Sequence, residues 1–277
     1  MAQDPYREFR QAVDRGDEKI DLGRAALAIA LSDYPNLDIA AYLARIDQLA
    51  VEVVHRGAAG GDVYQSIAAL NYVLFQHHGF RGNRDDYYDP KNSYLNEVIE
   101  RKIGIPITLS LLYMEVAQRV GLALDGVGFP GHFLVRCVNK DVEIVIDPFD
   151  NGEIKSREEL GRMLEGLYGR AIGLRPEFLK PASKTEILRR MLGNLKAIFL
   201  RANDLVKLLA VLDRLIILAP AAVEEIRDRG SVYLRLECYP QARADFETYL
   251  RLAPRADDAG AVRDQLVSLA KQVMSIH

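Results

Sequence analysis

The sequence predicts an α+β fold: a helix-rich domain with one small antiparallel sheet, followed by an all-α segment of helical repeats. Three observations lead there. Residues 107–120 are apolar nearly all round, as a central buried helix is. Two runs between Gly131 and Pro148 alternate with the period of half-buried strands. Beyond Pro181 the chain repeats itself, and Pro220 and Pro254 mark an interval of 34 residues. The change of pattern divides the chain into residues 1–180 and 181–277.

The elements ahead of the hairpin read as helices. Leu22 to Ser32 and Ile39 to Arg56 carry helical apolar spacing, with a Tyr34-Pro35-Asn36 turn between them. Gly57 to Gly61 reads as a loop, and Asp62 is placed to cap a helix in which Ile67, Leu70 and Leu74 recur. His77 and His78 close that helix. Adjacent helical side chains diverge by about 100°, so the pair is assigned to the helix C-terminus and not to a metal. The loop 79–90 holds Arg81, Arg84, Asp85, Asp86 and Asp89 without calcium-loop spacing, and its arginines can neutralise its carboxylates. Ser93 is placed to cap a helix from Tyr94 to Lys102, with Leu95, Val98 and Ile99 as its apolar stripe. Pro106 suits the first turn of the buried helix and Gly121 its end.

For the hairpin, Asn139-Lys140 as the turn sets Arg136 opposite Glu143, Leu134 opposite Val145 and His132 opposite Asp147. Phe133, Val135, Cys137, Val142, Ile144 and Ile146 then form the core face, and His132 and Asp147 share the other. A carboxylate in that place fixes an imidazole's tautomer and orientation. A histidine that merely stabilises a strand end would show the same pair. Cys137, at an odd offset from His132, belongs to the core face as a small hydrophobe. Cys238 is also read as structural. Thr108 and Ser110 are the hydroxyls near the start of the buried helix, and Thr108 reads as a capping or back-bonding residue.

The runs RGNRDDYYDPKNSYLNEVIERKIGIPITLSLLYMEVAQRVGL, GFPGHFLVRC and IDPFDNG, in that order, closely resemble the SirB family of bacterial transglutaminase-like proteins. That family joins a transglutaminase-like core to a tetratricopeptide-type C-terminus. The resemblance spans roughly residues 30–277. It implies a degenerate papain-like fold with its catalytic helix at 105–120, the family histidine at His132 and the family aspartate at Asp147. Enzymes of that fold keep a nucleophilic cysteine in the first turn of the helix. Here the turn is Gly104-Ile105-Pro106-Ile107-Thr108, with Gly-Ile-Pro at the cysteine's position, as the family generally shows. Only a remnant dyad, His132 and Asp147, is left of a catalytic set. Asn92, Asn96, Glu97, Pro106 and Thr108 are candidates to line the remnant pocket. A plainer role is open for Asn96 and Glu97, which can tie loop amides together.

The 277 residues carry 36 basic and 39 acidic side chains, a net charge of −3, which gives no whole-chain attraction to nucleic acid or membrane. Two cysteines without metal-ligand spacing argue for a reducing cytosol. The start, MAQDPYREFRQAVDRGDEKIDL, lacks a signal-peptide core, and no apolar run approaches the ~20 residues of a membrane span. A cytoplasmic protein with no metal and no cofactor is expected. In the repeat, Phe199 aligns with Tyr233, Leu200 with Leu234, and Leu212 with Phe246, all read as packing positions. Arg201 aligns with Arg235, and both are candidate partner-binding residues. Two repeats need a further surface, which the transglutaminase-like domain or the helix from Ala259 to Ile276 can supply. The function these readings favour is a non-catalytic interaction or regulatory module with a protein or peptide partner. The alternative is a residual hydrolase, peptidase or acyl-transfer enzyme with an unconventional nucleophile.

Overall fold

The computed structural model describes residues 4–14, 16–58, 62–139 and 142–275. It divides into two compact units, Met1–Met191 and Leu192–His277. No helix among the described residues is long and apolar enough to cross a membrane.

The first unit opens with α1 (Arg7–Val13), α2 (Leu22–Ile29) and α3 (Ile39–Val53). Asp21 and Asp38 cap α2 and α3 through their side chains, each accepting a backbone N–H two residues into its helix. α2 runs on as a 3-10 turn, Ala30–Ser32, and α3 as a π turn, Val54–Ala58. Residues 59–61 of the expected loop lie outside the described residues. α4 (Val63–Asn71) begins at Asp62, but the Asp62 side chain makes no capping bond, contrary to the expectation. α4 also widens into a π turn, Tyr72–His77, with the His78 N–H bonded to the Val73 carbonyl.

Two short strands, β1 (Arg81–Gly82) and β2 (Ile103–Gly104), pair in parallel on either side of α5 (Leu95–Arg101). The cap of α5 is Tyr94 and not Ser93, which belongs to a preceding 3-10 turn, Pro90–Ser93. α6 (Pro106–Arg119) is buried from Pro106 through Ala117, as its all-round apolar sequence requires. Gly121 follows its end with φ +81°.

The main sheet is antiparallel, in the order β3 (Asp125–Val127), β4 (Leu134–Asn139), β5 (Val142–Asp147), β6 (Glu153–Ile154). Its register corrects the sequence reading. Val135 pairs with Ile146, Arg136 with Val145, and Asn139 with Val142, so the strands are shifted by two residues from the expected pairs. Asn139, expected in the turn, is instead paired with Val142, and residues 140 and 141 lie outside the described residues. A shift of two keeps every side chain on its expected face. Arg136 still reaches Glu143, now diagonally, at 3.1 Å.

A second correction concerns the face expected to be open. Leu134 and Val145 are buried there with Val127, Phe129 and Leu179 against Leu160 and Leu164 of α7 (Arg157–Tyr168). A capping box, Ser156 with Glu159, starts that helix. The sheet is thus covered on both faces, and Cys137 is buried on the α6 side close to Tyr113. Val142, read as a core residue, is half exposed because it sits beside the turn.

α8 (Lys184–Ala202) contains the division between the units. The second unit continues with α9 (Leu205–Leu218), α10 (Val223–Arg235), α11 (Tyr239–Leu252) and α12 (Ala259–Ser275). The repeat is visible in the backbone: Asn203 and Glu237, 34 positions apart, both take left-handed φ values, +57° and +58°. Leu212 and Phe246 are fully buried, as repeat packing positions should be, and Phe199 is nearly so. Leu200 is 55 % exposed and is not a packing position. α12 packs on α11, burying Val262 and Leu269 with Phe246 and Tyr249. Between α9, α10 and α11, Arg229 is held by Asp245 through two bonds, at 2.7 and 2.8 Å, and by Asp213 at 2.7 Å.

Candidate functional site

The site begins with a tight turn before β4. Gly131 takes φ +68°, and the His132 N–H bonds the Phe129 carbonyl at 3.0 Å. This turn projects the His132 ring toward the end of β5. There Nε2 lies 2.9 Å from both oxygens of Asp147, a carboxylate only 3 % exposed. Asp147 also accepts the Phe149 N–H at 3.0 Å, capping a 3-10 turn over Pro148–Asp150. A buried carboxylate with these neighbours is an acceptor, so Nε2 carries the imidazole proton. Nδ1 has no hydrogen-bond partner among the described residues.

Side chains not singled out in the sequence complete the setting. The Phe149 ring stands edge-on to His132, centroids 5.7 Å apart, and lies against Gly82 of β1. Arg190 of α8 donates to the His132 carbonyl at 2.7 Å and more weakly to that of Phe129 at 3.4 Å, clamping both ends of the turn. Burial pulls the Arg190 guanidinium below its ordinary range, and burial likewise pushes the Tyr87 phenol beside it up. Phe149 falls within IDPFDNG and Gly82 within RGNR, two of the motifs, so their place was marked in the sequence. Arg190 lies 58 residues from His132 in the chain and carried no such signal.

The first turn of α6 is closed by hydrogen bonds. Thr108 is fully buried; its hydroxyl donates to the Asn92 carbonyl at 2.8 Å and accepts the Ile105 N–H at 3.1 Å. Asn92, also fully buried, donates to the Asp86 and Tyr87 carbonyls and accepts from Asn83. Asn92 and Thr108 are thus brought together as ties for the 83–92 loop. Ser110 donates to the Phe133 carbonyl at 3.3 Å, joining α6 to the strand that follows His132. Pro106 is buried in that turn. Asn96 is buried with its Oδ1 unpaired, so that oxygen ties no loop amide, and Glu97 accepts from the Tyr34 hydroxyl. Burial, helped by Asp125, pushes the Cys137 thiol up, away from thiolate chemistry.

A family model described as the transglutaminase-like superfamily matches residues 40–193, and a tetratricopeptide-repeat model matches 195–267. A UPF0162 protein of Xylella fastidiosa (strain 9a5c) is 39% identical over 268 residues, covering 94% of each chain. The chain belongs to the transglutaminase-like UPF0162 family, of the SirB type. The family's Vibrio cholerae member is 32% identical over 200 residues, 72% of this chain and 73% of that one. F-box only protein 21 of Mus musculus is 33% identical over 184 residues, which is 64% of this chain but 29% of the mouse protein. The fold of UPF0162 is therefore also carried, in part, inside a larger eukaryotic chain.

In the second unit the candidate arginines are both exposed. Arg235 donates to Asn203, linking the end of α10 to the turn after α8.

Proposed function

We propose that this UPF0162 protein is a non-catalytic protein- or peptide-binding module, in which the remnant dyad stabilises the edge of a binding surface. The observation that supports this most is the state of Thr108. A hydroxyl nucleophile must be free to give its proton to a base and must reach a carbonyl carbon. The Thr108 hydroxyl is buried and already donates to a backbone carbonyl, and Ser110 is committed in the same way. Cys137 does not substitute, since it sits buried in the sheet core. The tetratricopeptide repeats supply the general capacity to bind a protein.

The binding half is tested with Arg201→Ala/Arg235→Ala, both surface changes expected to alter stability by no more than about 0.5 kcal/mol each. Capture of partners from a lysate should weaken while the melting temperature holds. Unchanged capture would remove the arginines from the interface. The non-catalytic half is tested with serine- and cysteine-directed electrophiles followed by peptide mapping. Labelling of Cys137 should be slow and indifferent to His132→Ala. Labelling of Thr108 or Ser110 that disappears in His132→Ala would establish the hydrolase instead.

A further inference from the structure

Among the described residues, one group of metal-ligating side chains comes together: Glu52, His77 and His78. Glu52 closes α3 just before its π turn, and the histidines end the π turn that follows α4. Sequence spacing hides the group, because 24 residues separate Glu52 from His77. The two rings do diverge, at 80° with centroids 4.9 Å apart. One Glu52 oxygen nonetheless lies near both Nε2 atoms, 2.7 Å from that of His78 and 3.9 Å from that of His77. Tetrahedral zinc with bonds of ~2.0–2.1 Å holds its ligand atoms about 3.3 Å apart, a value between those two distances. All three ligand atoms lie within 4.8 Å of one another.

The rings are also held from outside. His77 stacks on Tyr72 with planes 7° apart, and Arg56 covers that tyrosine, its guanidinium 4.0 Å from the ring centre. His78 is approached at Nδ1 by the Lys102 ammonium, 3.4 Å away. We propose that Glu52, His77 and His78 form a surface site for a divalent transition-metal ion of the zinc class. Two imidazoles and one carboxylate suit such an ion and leave a fourth position for water or a donor from outside the chain. Lys102 acts against the site. Metal on Nε2 of a neutral imidazole leaves the proton on Nδ1, which then cannot accept from an ammonium. The ammonium also repels the ion.

The test uses the full chain without a histidine tag, titrated with zinc chloride by calorimetry after removal of metal with EDTA. One zinc ion per chain should bind with a micromolar dissociation constant. His77→Ala, His78→Ala and Glu52→Gln should each weaken it by about tenfold or more, a clear loss on the affinity scale. His55→Ala, three residues along from Glu52, should change nothing, and Lys102→Met should tighten binding. Melting in EDTA checks that each variant folds. Zinc should raise the melting temperature of the wild type and not of His77→Ala/His78→Ala. Binding that is weak and multiple, or equal in the wild type and the three ligand variants, would show an adventitious ion only and overturn the site.

Discussion

Replacing Gly82 by alanine should disturb the His132 site without touching the dyad. A Cβ built at Gly82 would lie 2.5 Å from Cε2 of Phe149, 2.6 Å from Cδ2 and 2.8 Å from Cζ. Ordinary carbon contacts are about 3.5–4.0 Å, so the ring or strand β1 must move by roughly 1 Å. The strand has little freedom, because it pairs with β2 at Gly104. The ring is the softer partner, and it packs on His132 at 5.7 Å, on Tyr87 at 6.5 Å and under the Arg84 guanidinium at 5.1 Å. Overpacking of this kind costs about 1–3 kcal/mol, or roughly 2–12 °C in melting temperature for a chain of this size. The assay is a thermal melt with the His132 ring followed by NMR, since the aromatic edge beside it sets its chemical shift. Phe149→Ala should relieve the clash, so that Gly82→Ala costs markedly less in that background, with a coupling of about 0.5–3 kcal/mol. A Gly82→Ala protein with wild-type melting and an unmoved His132 resonance would refute the placement of Phe149.

Further outcomes follow from burial and charge. Leu212→Ala, at a fully buried position, should cost roughly 2–5 kcal/mol, while Leu200→Ala, at its exposed repeat neighbour, should stay within about 0.5 kcal/mol; chemical denaturation separates them. Arg229→Ala strands the carboxylates of Asp213 and Asp245 and should cost roughly 2–4 kcal/mol, less than the ~3–5 of a fully buried pair because the guanidinium is partly solvated. Burial pushes the Asp17 carboxyl up, but hydrogen bonds from Thr185 and Lys184 outweigh it and hold it below the usual range. Its contribution to stability is therefore present above its unfolded value near ~3.9 and lost as pH falls through the lower folded value. The stability difference between wild type and Asp17→Asn should be constant near neutrality and shrink below about pH 4; a difference that grows in acid would reverse the sign.

Much of this architecture was legible because its signals are periodic. The buried helix, the hairpin faces and the 34-residue repeat each follow from spacing. The hairpin register was not legible, since a shift of two preserves every facial assignment and so leaves the alternation unchanged. Nor does alternation say whether the second face meets water; Leu134 and Val145 are apolar because α7 lies over them. Leu200 shows the converse limit, an apolar residue in both repeat copies that the helix nevertheless turns outward. The π turn after α4 leaves no pattern in composition, yet it carries the two histidines to Glu52 of α3. Arg190 is hidden for a different reason. Its partners are main-chain carbonyls, which no side-chain motif records.

The beginning of α6 shows how a transglutaminase-like scaffold closes a helix start that carries no cysteine. Such a helix start must satisfy its own amide ends while it presents a reactive group. Here the same turn is closed from within. Thr108 takes up the Ile105 N–H and the Asn92 carbonyl, and Gly104 leaves room for it, since a Cβ there would lie 2.9 Å from the Thr108 oxygen. Asn92 then carries the tie into the 83–92 loop, whose Tyr87 packs on Phe149 and so reaches His132. Asp147 and Arg190 fix the histidine from its ring and from its backbone. His132 is therefore the end of a continuous set of contacts that begins at the first turn of α6. A residue so placed has reason to be kept for the surface it holds in position, whether or not any bond is broken there.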